Sequence, residues 1–591
     1  MNRMASSRSE SLRPPDVRDG IPQFTLAHYE HQFRDRHLVH GVVAKWARER
    51  PHAAALINAD RKQQLDWVAF DQSSTALAMQ LLRMGFRKGD FLATSLPLLT
   101  EHVLLEYACF KLGVILAPLD MRLAPAEVIR SLGLLRPRGF AFLGQTPVAD
   151  FRELGRAVQR YCPYVERLMQ FSPPEEVIEG AESAFTIAGE ARKLATGEAE
   201  PSLRADLAAA YQQATAAVQE NDGALVIFTT GSTGAPKPAL LSHRNITCEN
   251  MCISEALFGG DSGTTTLVNL PPSHVGCQTE LLMGTLFGGG TAVLLETFDA
   301  ARSLKAIQDY KVRKLGQIPA MFNFEWRLKD YARYGLSSLD FVAYGGSQIS
   351  RAFAEKLATM APKVATGLGL TESAGFCTYL LKDAADSEQI FASLGYDMPV
   401  YSLSVRKPMR DDGSAGDALP DGELGCVCFR GPQTFLGYVN DPDATAKAVS
   451  SDGYLYTGDL GYKDDRGLHL TGRAKWVIKP YGYQVFPGEV ENHLCALEEK
   501  VAACGVVGVE HAMITEGIVA FVEKKPGAAL TVQDLEKHAR SLASYMRPRH
   551  YVLLEPGQLP LNRVVKTDYV RLSQMAKEEV ERLRAEGGWD R

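Results

Sequence analysis

Three features are missing from this 591-residue sequence, and each absence narrows the class of protein. No segment reaches the roughly 18 uncharged apolar residues that a membrane-spanning helix requires. No excess of positive charge is present, because the net charge is -6, so we do not expect nucleic acid as a partner. The ten cysteines include no CxxC pair and no regular framework, which is typical of a reducing compartment. Together these absences predict a soluble protein without a transmembrane segment and with a cytoplasmic location.

The N-terminal residues lack the apolar core of a secretory signal. Four arginines lie among serine and proline, but no apolar stretch follows them. Acidic residues at positions 10, 16 and 19 also argue against a transit peptide. We therefore predict a loosely ordered arm over residues 1–23.

From about residue 37, helical spacing alternates with short apolar strands. The pattern predicts helices over residues 38–50 and 70–84, and strands over 53–58 and 91–96. Such alternation predicts an α/β fold, with a mostly parallel sheet covered by helices on both faces. Residues 172–221 are acidic and rich in Ala, Glu and Gln, and they are interpreted as a helical or loop connection on the surface.

The pattern changes after about residue 400. Glycines at short intervals among apolar and β-branched residues predict a compact β-rich subdomain with tight turns. Beyond Gly472 an α+β pattern follows, and a boundary near residue 473 leaves about 116 residues, a normal size for a separate domain. We predict a large N-terminal α/β domain over residues 24–473, including the β-rich subdomain, and a small C-terminal α+β domain over 474–591.

A phosphate-binding loop is predicted after the apolar run at residues 224–228, which is typical of a strand buried on both faces. Glycines in the loop permit positive φ, its N–H and hydroxyl groups can donate to phosphate oxygens, and a lysine adds a positive charge. The segment is not a Walker A loop, since Gly-Lys-Ser/Thr is absent, and by itself it also fits a simple flexible turn. The predicted phosphate-binding residues are Thr229, Thr230, Gly231, Ser232, Thr233, Gly234 and Lys237.

Further motifs follow the loop in a fixed order. They are Asn-Leu-Pro-Pro-Ser-His-Val-Gly at 269–276, Tyr-Gly-Gly-Ser at 344–347, Gly-Leu-Gly-Leu-Thr-Glu-Ser at 367–373, Tyr-Thr-Gly-Asp at 456–459, Gly-Arg-Ala-Lys at 472–475, and longer segments at 478–491 and 559–566. This ordered set resembles the adenylate-forming superfamily, which contains acyl-CoA synthetases, firefly luciferase and the adenylation domains of peptide synthetases. The resemblance spans residues 229–566.

The resemblance implies an ATP-dependent ligase that makes an acyl-adenylate and then an acyl-CoA. Joining a carboxylate to the α-phosphate brings two anions together, so the site must neutralise a negative transition state. Glu372 is suited to hold Mg²⁺ with phosphate oxygens, and Thr371 to donate to a phosphate. Asp459 is expected to accept the ribose hydroxyls, with Arg473 as a second ribose or phosphate contact. The adenine side is expected to comprise Gly345, Gly346, Ser347, Gly367, Leu368 and Gly369, with Leu368 in place of the family's common aromatic residue.

Two half-reactions in one pocket require a moving domain. By the resemblance, Lys566 of the small domain contacts the carboxylate and the α-phosphate while the adenylate forms. The small domain then turns about Lys475, withdraws Lys566 and presents the coenzyme A side, formed by Lys479, Gly482 and Tyr483. Hinge closures of this kind often limit turnover.

The acid side of the pocket is predicted to be neutral. His274 is the candidate gate beside the acyl carboxylate, and His274-Val275 stands where amino-acid-activating relatives carry Phe-Asp, so an α-amino acid is not expected. An apolar lining favours an aliphatic, alicyclic or aromatic monocarboxylate, in which the carboxylate is the only charged group. The predicted wall residues are Cys277, Gln278, Leu281, Leu282, Gly345, Gly346, Gly369 and Ala374.

Other functions remain compatible with the sequence. In one alternative, the adenylate passes to the phosphopantetheine of a separate carrier protein instead of coenzyme A, since only about 25 residues follow Lys566 and no carrier domain is expected in them. A non-catalytic nucleotide-binding homologue and a luciferase-like oxygenase are further alternatives. The partners expected are a small carboxylic acid, ATP and coenzyme A, and a homodimer is compatible with the sequence.

Overall fold

Two large, mostly parallel sheets form the framework of the N-terminal domain. The computed structural model describes residues 15–18, 20–229, 236–346, 349–562 and 566–590. The strands of the first sheet lie in the spatial order Gly437–Tyr438, Lys237–Ser242, Gly223–Thr229, Ile115–Pro118, Phe91–Ser95, Gly139–Leu143, Arg167–Phe171 and Glu182–Ser183. Those of the second lie in the order Tyr396–Asp397, Thr378–Asp383, Lys363–Thr366, Phe341–Tyr344, Lys314–Gln317, Thr265–Val268, Thr291–Leu294, Ala54–Asn58 and Gln63–Asp66. Antiparallel strands lie only at the margins of the described part of each sheet.

Helices connect the parallel strands. In the N-terminal domain they are Leu26–Gln32, Val39–Glu49, Trp67–Arg83, Thr100–Leu112, Pro125–Leu135, Arg152–Tyr161, Ala184–Thr196, Pro201–Ala216, His243–Met251, Gly284–Phe287, Ala300–Tyr310, Pro319–Trp326, Arg351–Leu357 and Pro442–Ala448. Local chemistry fixes several starts: the Asp66 carboxylate accepts from the Ala69 N–H, and Ser242 forms a capping box with Asn245. Among the described residues, no helix is long and apolar enough to cross a membrane.

The two sheets share one core. A single buried cluster contains Leu92 and Leu225 from the first sheet and Leu56 and Leu294 from the second. The middle of strand Gly223–Thr229 is apolar and buried, as expected for a strand that is covered on both faces. This packing brings the ends of strands from both sheets to one region of the surface.

The β-rich subdomain is a four-stranded antiparallel sheet in the order Ser402–Arg406, Gly425–Arg430, Leu455–Asp464 and Gly467–Arg473. The predicted domain boundary at residue 473 falls at the end of its last strand. The C-terminal domain has a three-stranded sheet, Val501–His511, Thr515–Lys524 and His550–Leu554, with helices Pro487–Cys495, Val532–Ala539 and Tyr569–Ala585. Two hydrophobic clusters of its own lie on this sheet, one around Val506 and the other around Val507.

The predicted α/β class with a β-rich subdomain and a small α+β domain is confirmed. The N-terminal helices and strands agree with the predicted ones to within three residues at each end, for example Val39–Glu49 and Phe91–Ser95. The predicted loose arm is wrong at its C-terminal end, where Asp16–Arg18 pairs with Ile21–Gln23 in a small hairpin. Arg18 fixes this hairpin, since it donates to the Tyr379 hydroxyl at 3.3 Å and pairs with Asp397 at 2.9 Å.

Candidate active site

A cavity of about 780 Å³ opens where the two large sheets, the four-stranded sheet and the C-terminal domain meet. Thr229, Gln317, Tyr344 and Thr366 line it, and each is the last residue of its strand. The carboxyl ends of parallel strands are the usual place for ligands in open α/β sheets. The sequence motifs therefore converge here, although they are up to about 340 residues apart in the chain.

Lys237, predicted to bind phosphate, lines the cavity. It begins strand Lys237–Ser242 and is paired with Thr229, so the two ends of the predicted phosphate loop are held side by side. Its Nζ lies 5.1 Å from the centre of the Tyr438 ring. The loop residues Thr230, Gly231, Ser232, Thr233 and Gly234, and also Ser347, lie outside the described residues.

Glu372 and Thr371 also face the cavity, on the turn that follows strand Gly369–Leu370. The Tyr438 hydroxyl donates to Glu372 Oε1 at 2.6 Å, and the Phe435 N–H donates to the Glu372 carbonyl at 2.9 Å. Burial and the Glu372 carboxylate raise the pKa of Tyr438 above its usual value, so it remains a donor. Sequence reasoning missed Tyr438, because the two-residue strand Gly437–Tyr438 has no recognisable motif.

Asp459 and Arg473 face each other across two antiparallel strands. Their register places Arg473 Nε 2.7 Å from Asp459 Oδ1. The second oxygen, Oδ2, is buried and has no hydrogen-bond partner among the described residues. Burial raises the pKa of Asp459, while Arg473 opposes the shift. Arg473 lines the cavity but Asp459 does not, so this carboxylate oxygen, which is costly to leave without a donor, lies behind the lining residues Gly458 and Arg473.

Lys566 reaches the cavity from the C-terminal domain. A Cβ added to Gly346 would lie 3.6 Å from Lys566 Cε and 4.0 Å from its Nζ, so the lysine approaches the Gly345-Gly346 turn closely. Asn562 holds the lysine backbone by hydrogen bonds of 2.7 and 3.0 Å. Burial and the Arg473 guanidinium lower the pKa of Lys566, and Asp459 opposes them.

The residues predicted for the coenzyme A side lie elsewhere. Lys475 lines the cavity, but Lys479, Gly482 and Tyr483 are exposed residues that do not line it. The Lys479 N–H donates to Glu516 at 2.6 Å, and the Tyr483 ring stacks on Tyr545 with centroids 4.4 Å apart. Lys566 thus lies in the cavity and Lys479 lies outside it. Under the two-step hypothesis, this is the arrangement expected during adenylate formation.

The predicted adenine side is only partly at the cavity wall. Gly345, Gly346 and Gly369 line it, whereas Gly367 and Leu368 lie behind the wall against Thr378. The Leu368 N–H donates to Thr378 Oγ1 at 2.9 Å, and a Cβ on Gly367 would overlap the Thr378 carbonyl. In this arrangement the glycine at 367 is required by strand packing.

Comparison with known proteins agrees with this geometry. The family model described as AMP-binding enzyme matches residues 43–439, and the model for the C-terminal domain of the same enzymes matches residues 489–566. The chain belongs to the AMP-binding enzyme family.

The similar proteins carry names that describe different activities. A 4-coumarate–CoA ligase-like protein of Oryza sativa subsp. japonica is 28% identical over 541 residues, covering 87% of this chain and 83% of that protein. A luciferin 4-monooxygenase of Photuris pensylvanica is 26% identical over 533 residues, covering 90% and 93%. The crystal structure of ATP-bound MatB from Rhodopseudomonas palustris matches with a TM-score of 0.73 at 21% identity, covering 91% of this chain and 99% of that one.

On the acid side of this family member, His274 lines the cavity next to Pro271, whose carbonyl accepts from the His274 N–H. Burial lowers the pKa of His274, while Asp120 opposes the shift, so the imidazole is neutral at pH 7. Arg122, which pairs with Asp120 at 2.6 Å, is a second cavity residue that the sequence motifs did not indicate.

The predicted wall after His274 is partly wrong. Of those positions, Leu281 lines the cavity, but Cys277, Gln278, Leu282 and Ala374 do not. For Cys277, Gln278 and Leu282 the reason is that residues Gly276–Met283 form a π-helix, in which hydrogen bonds run from i to i+5 and the turn is wider than in an α-helix. The cavity face therefore carries Gly276, Glu280 and Leu281, and the wall includes a carboxyl group.

Glu372 fits the expected magnesium site by its chemistry. Mg²⁺ at phosphate-transfer sites is usually held by one or two carboxylates and by substrate phosphates, and Glu372 faces the cavity near Lys237. A second group of candidate ligands, Glu30, His37 and Glu220, does not line the cavity. Arg244 bridges the two glutamates there, so their charge is already compensated.

Proposed function

We propose that this protein is an ATP-dependent acid:CoA ligase, which converts a monocarboxylate to its acyl-adenylate and then to its acyl-CoA. The observation that carries the proposal is the position of Lys566, a C-terminal-domain residue whose ammonium lies at the Gly345-Gly346 turn of the N-terminal domain. The same cavity contains Lys237, Arg473 and Glu372. A simple nucleotide-binding module would need few of these groups.

In the first step, a carboxylate oxygen attacks the α-phosphorus of ATP and the bond to pyrophosphate breaks. Lys566 would stabilise the charge that develops on the carboxylate and the α-phosphate, and Lys237 that on the leaving pyrophosphate. Neutral His274 would lie beside the acid without adding charge. Glu372, oriented by Tyr438, would hold Mg²⁺, which when bound neutralises phosphate oxygens.

In the second step, the sulfur of coenzyme A attacks the acyl carbonyl carbon, the bond to AMP breaks, and the thiol proton leaves to solvent. We propose that the C-terminal domain turns about Lys475, which removes Lys566 and brings Lys479, Gly482 and Tyr483 to the cavity. One pocket thereby serves both reactions.

The half-reactions test this proposal separately. Lys566→Ala is expected to suppress ATP–pyrophosphate exchange while supplied acyl-AMP is still converted to thioester, because the lysine acts only in the first step. Lys577→Ala, an exposed lysine on helix Tyr569–Ala585 of the same domain, is the matched control and should leave both rates unchanged. Equal loss of both half-reactions in Lys566→Ala would contradict the two-conformation mechanism.

The acceptor and the acid need a separate screen. AMP release is measured over acids of graded length and ring type, with coenzyme A in one arm and a phosphopantetheinylated carrier protein in the other. Turnover with coenzyme A supports the ligase, turnover only with the carrier supports an acyl-AMP ligase, and no AMP release with any acid in either arm indicates a non-catalytic homologue.

A further inference from the structure

The acid side of the cavity contains a carboxyl group without a partner. Glu280 faces the cavity from the π-helix Gly276–Met283, and no described residue donates a hydrogen bond to it or forms an ion pair with it. None of the cavity's lysines and arginines that the structure describes forms an ion pair with Glu280, and Arg122 beside His274 is already paired with Asp120. A carboxyl group placed in an apolar chamber without a donor costs free energy, unless a ligand supplies the donor.

Space is kept open around this carboxyl group by glycines. A Cβ on Gly369 would lie 3.3 Å from Glu280 Oε1, and a Cβ on Gly276 would lie 3.5 Å from Oε2. The rest of this part of the wall is apolar, with Ile253, Leu257 and Leu281. The carboxyl group therefore projects between two glycines into an otherwise apolar chamber.

A second carboxyl group lies directly behind the first. Glu249 is fully buried, and its Oε1 has no hydrogen-bond partner among the described residues. A Cβ on Gly375 would meet Glu249 Oε1 at 2.8 Å and Glu280 Cγ at 2.9 Å, so both side chains pack against this one glycine. Burial and Glu280 raise the pKa of Glu249, and burial raises that of Glu280 to about 7. Glu249 is therefore the protonated carboxyl group of this pair. A cation bound beside Glu280 would shift that group fully to its carboxylate form.

We propose that Glu280 is a specificity-determining residue that selects a carboxylic acid bearing a protonated amine at the end remote from its carboxyl group. This inference rests on the proposed function, because it names the acid for the same site. A positive nitrogen satisfies an unpaired buried carboxylate better than a neutral hydroxyl does, since the pair is hydrogen-bonded and its charges cancel.

The spacing favours a remote amine over an α-amine. His274 precedes the π-helix, and Glu280 lies four residues into it from Gly276, a rise of roughly 6 Å by the α-helical value and less in a π-helix. An α-amine lies beside its own carboxylate, so it would stay near His274. An amine on the far side of a ring, or at the end of a short chain, spans the interval.

Matched acids test the assignment. The probes are 4-(aminomethyl)benzoate against 4-ethylbenzoate, and 5-aminopentanoate against hexanoate, because each pair differs only by an ammonium in place of a methyl group. The readout is the ratio of kcat/KM for the amine-bearing acid to that for its alkyl partner, measured by AMP release. The wild-type ratio is expected to exceed 10 for at least one pair, Glu280→Gln to reduce it at least tenfold, and Glu280→Leu to invert it.

Glu106→Gln is the control variant. Glu106 is also a buried glutamate in contact with this π-helix, through Gln278 at 2.6 Å, but it does not line the cavity. Its substitution should leave the ratio unchanged even if stability falls. A wild-type ratio near 1 would overturn the inference, and so would an equal loss of kcat/KM for both acids of a pair in Glu280→Gln. Neither result would contradict the proposed ligase activity. If none of the acids leads to AMP release, the proposed function itself is contradicted.

Discussion

Asp459 offers the sharpest test of the nucleotide site, because its substitution should harm activity without harming stability. The side chain is 7% exposed, Oδ1 is paired with Arg473, and Oδ2 has no described partner. Asp459→Asn keeps the size and the contact with Arg473 but replaces the free oxygen by an NH₂ donor. A hydrogen bond to a charged group contributes about 1.5–3 kcal/mol. Loss of one such bond to a ribose hydroxyl predicts a fall of about 10- to 150-fold in kcat/KM for ATP.

Stability should move in the other direction. Burial raises the folded-state pKa of Asp459 above its ordinary value, so the ionised form is disfavoured in the folded protein. Ionisation therefore lowers stability above the ordinary pKa of the carboxyl group, and this loss is removed as the pH falls and the group is protonated. At pH 7, Asp459→Asn is expected to unfold at the same or a higher temperature than wild type.

Asp464 on the same strand is the matched control. It is partly buried, but hydrogen bonds from His469 and Arg466 outweigh that burial and lower its pKa to about 2. Its stabilising effect is present above the ordinary pKa and is lost as the pH falls toward 2. Asp464→Asn should thus lower the unfolding temperature at pH 7 and leave kcat/KM for ATP unchanged. An Asp459→Asn enzyme that is less stable but has normal ATP kinetics would refute the assignment.

Three further predictions follow from other parts of the structure. Lys479→Ala should slow thioester formation from supplied acyl-AMP and leave ATP–pyrophosphate exchange intact, which is the reverse of the result expected for Lys566→Ala. Loss of exchange in Lys479→Ala would contradict its role in the second step. Gly375→Ala should lower the free energy of unfolding, measured with denaturant, by about 1–3 kcal/mol, because its φ is +140° and the new Cβ meets Glu249. Tyr438→Phe should raise the half-saturating Mg²⁺ concentration and lower kcat/KM for ATP about tenfold, because the Glu372 carboxylate loses a hydrogen-bond donor at 2.6 Å. An unchanged Mg²⁺ dependence would show that Tyr438 does not orient this carboxylate.

The local parts of the fold could be predicted from the sequence because they depend on neighbours in the chain. The apolar run before Thr229 specifies a buried strand, and helical spacing specifies Val39–Glu49 and Trp67–Arg83. The N-terminal hairpin was missed because its stabilising contact, from Arg18 to Tyr379 and Asp397, joins residues more than 360 positions apart. Nothing in the local sequence indicates that pairing.

The sequence by itself predicted the chemistry of the proposed nucleotide side, since Lys237, Glu372, Asp459 and Lys566 stand in ordered motifs whose residue types match phosphate, metal and ribose. Only the tertiary structure decided the acid side. Cys277 and Gln278 were predicted on the cavity wall, but in the π-helix Gly276–Met283 both are buried away from the cavity, whereas Glu280 lines it. Helix type depends on packing against the rest of the domain, so the carboxyl group on which the proposed substrate depends became visible only in three dimensions.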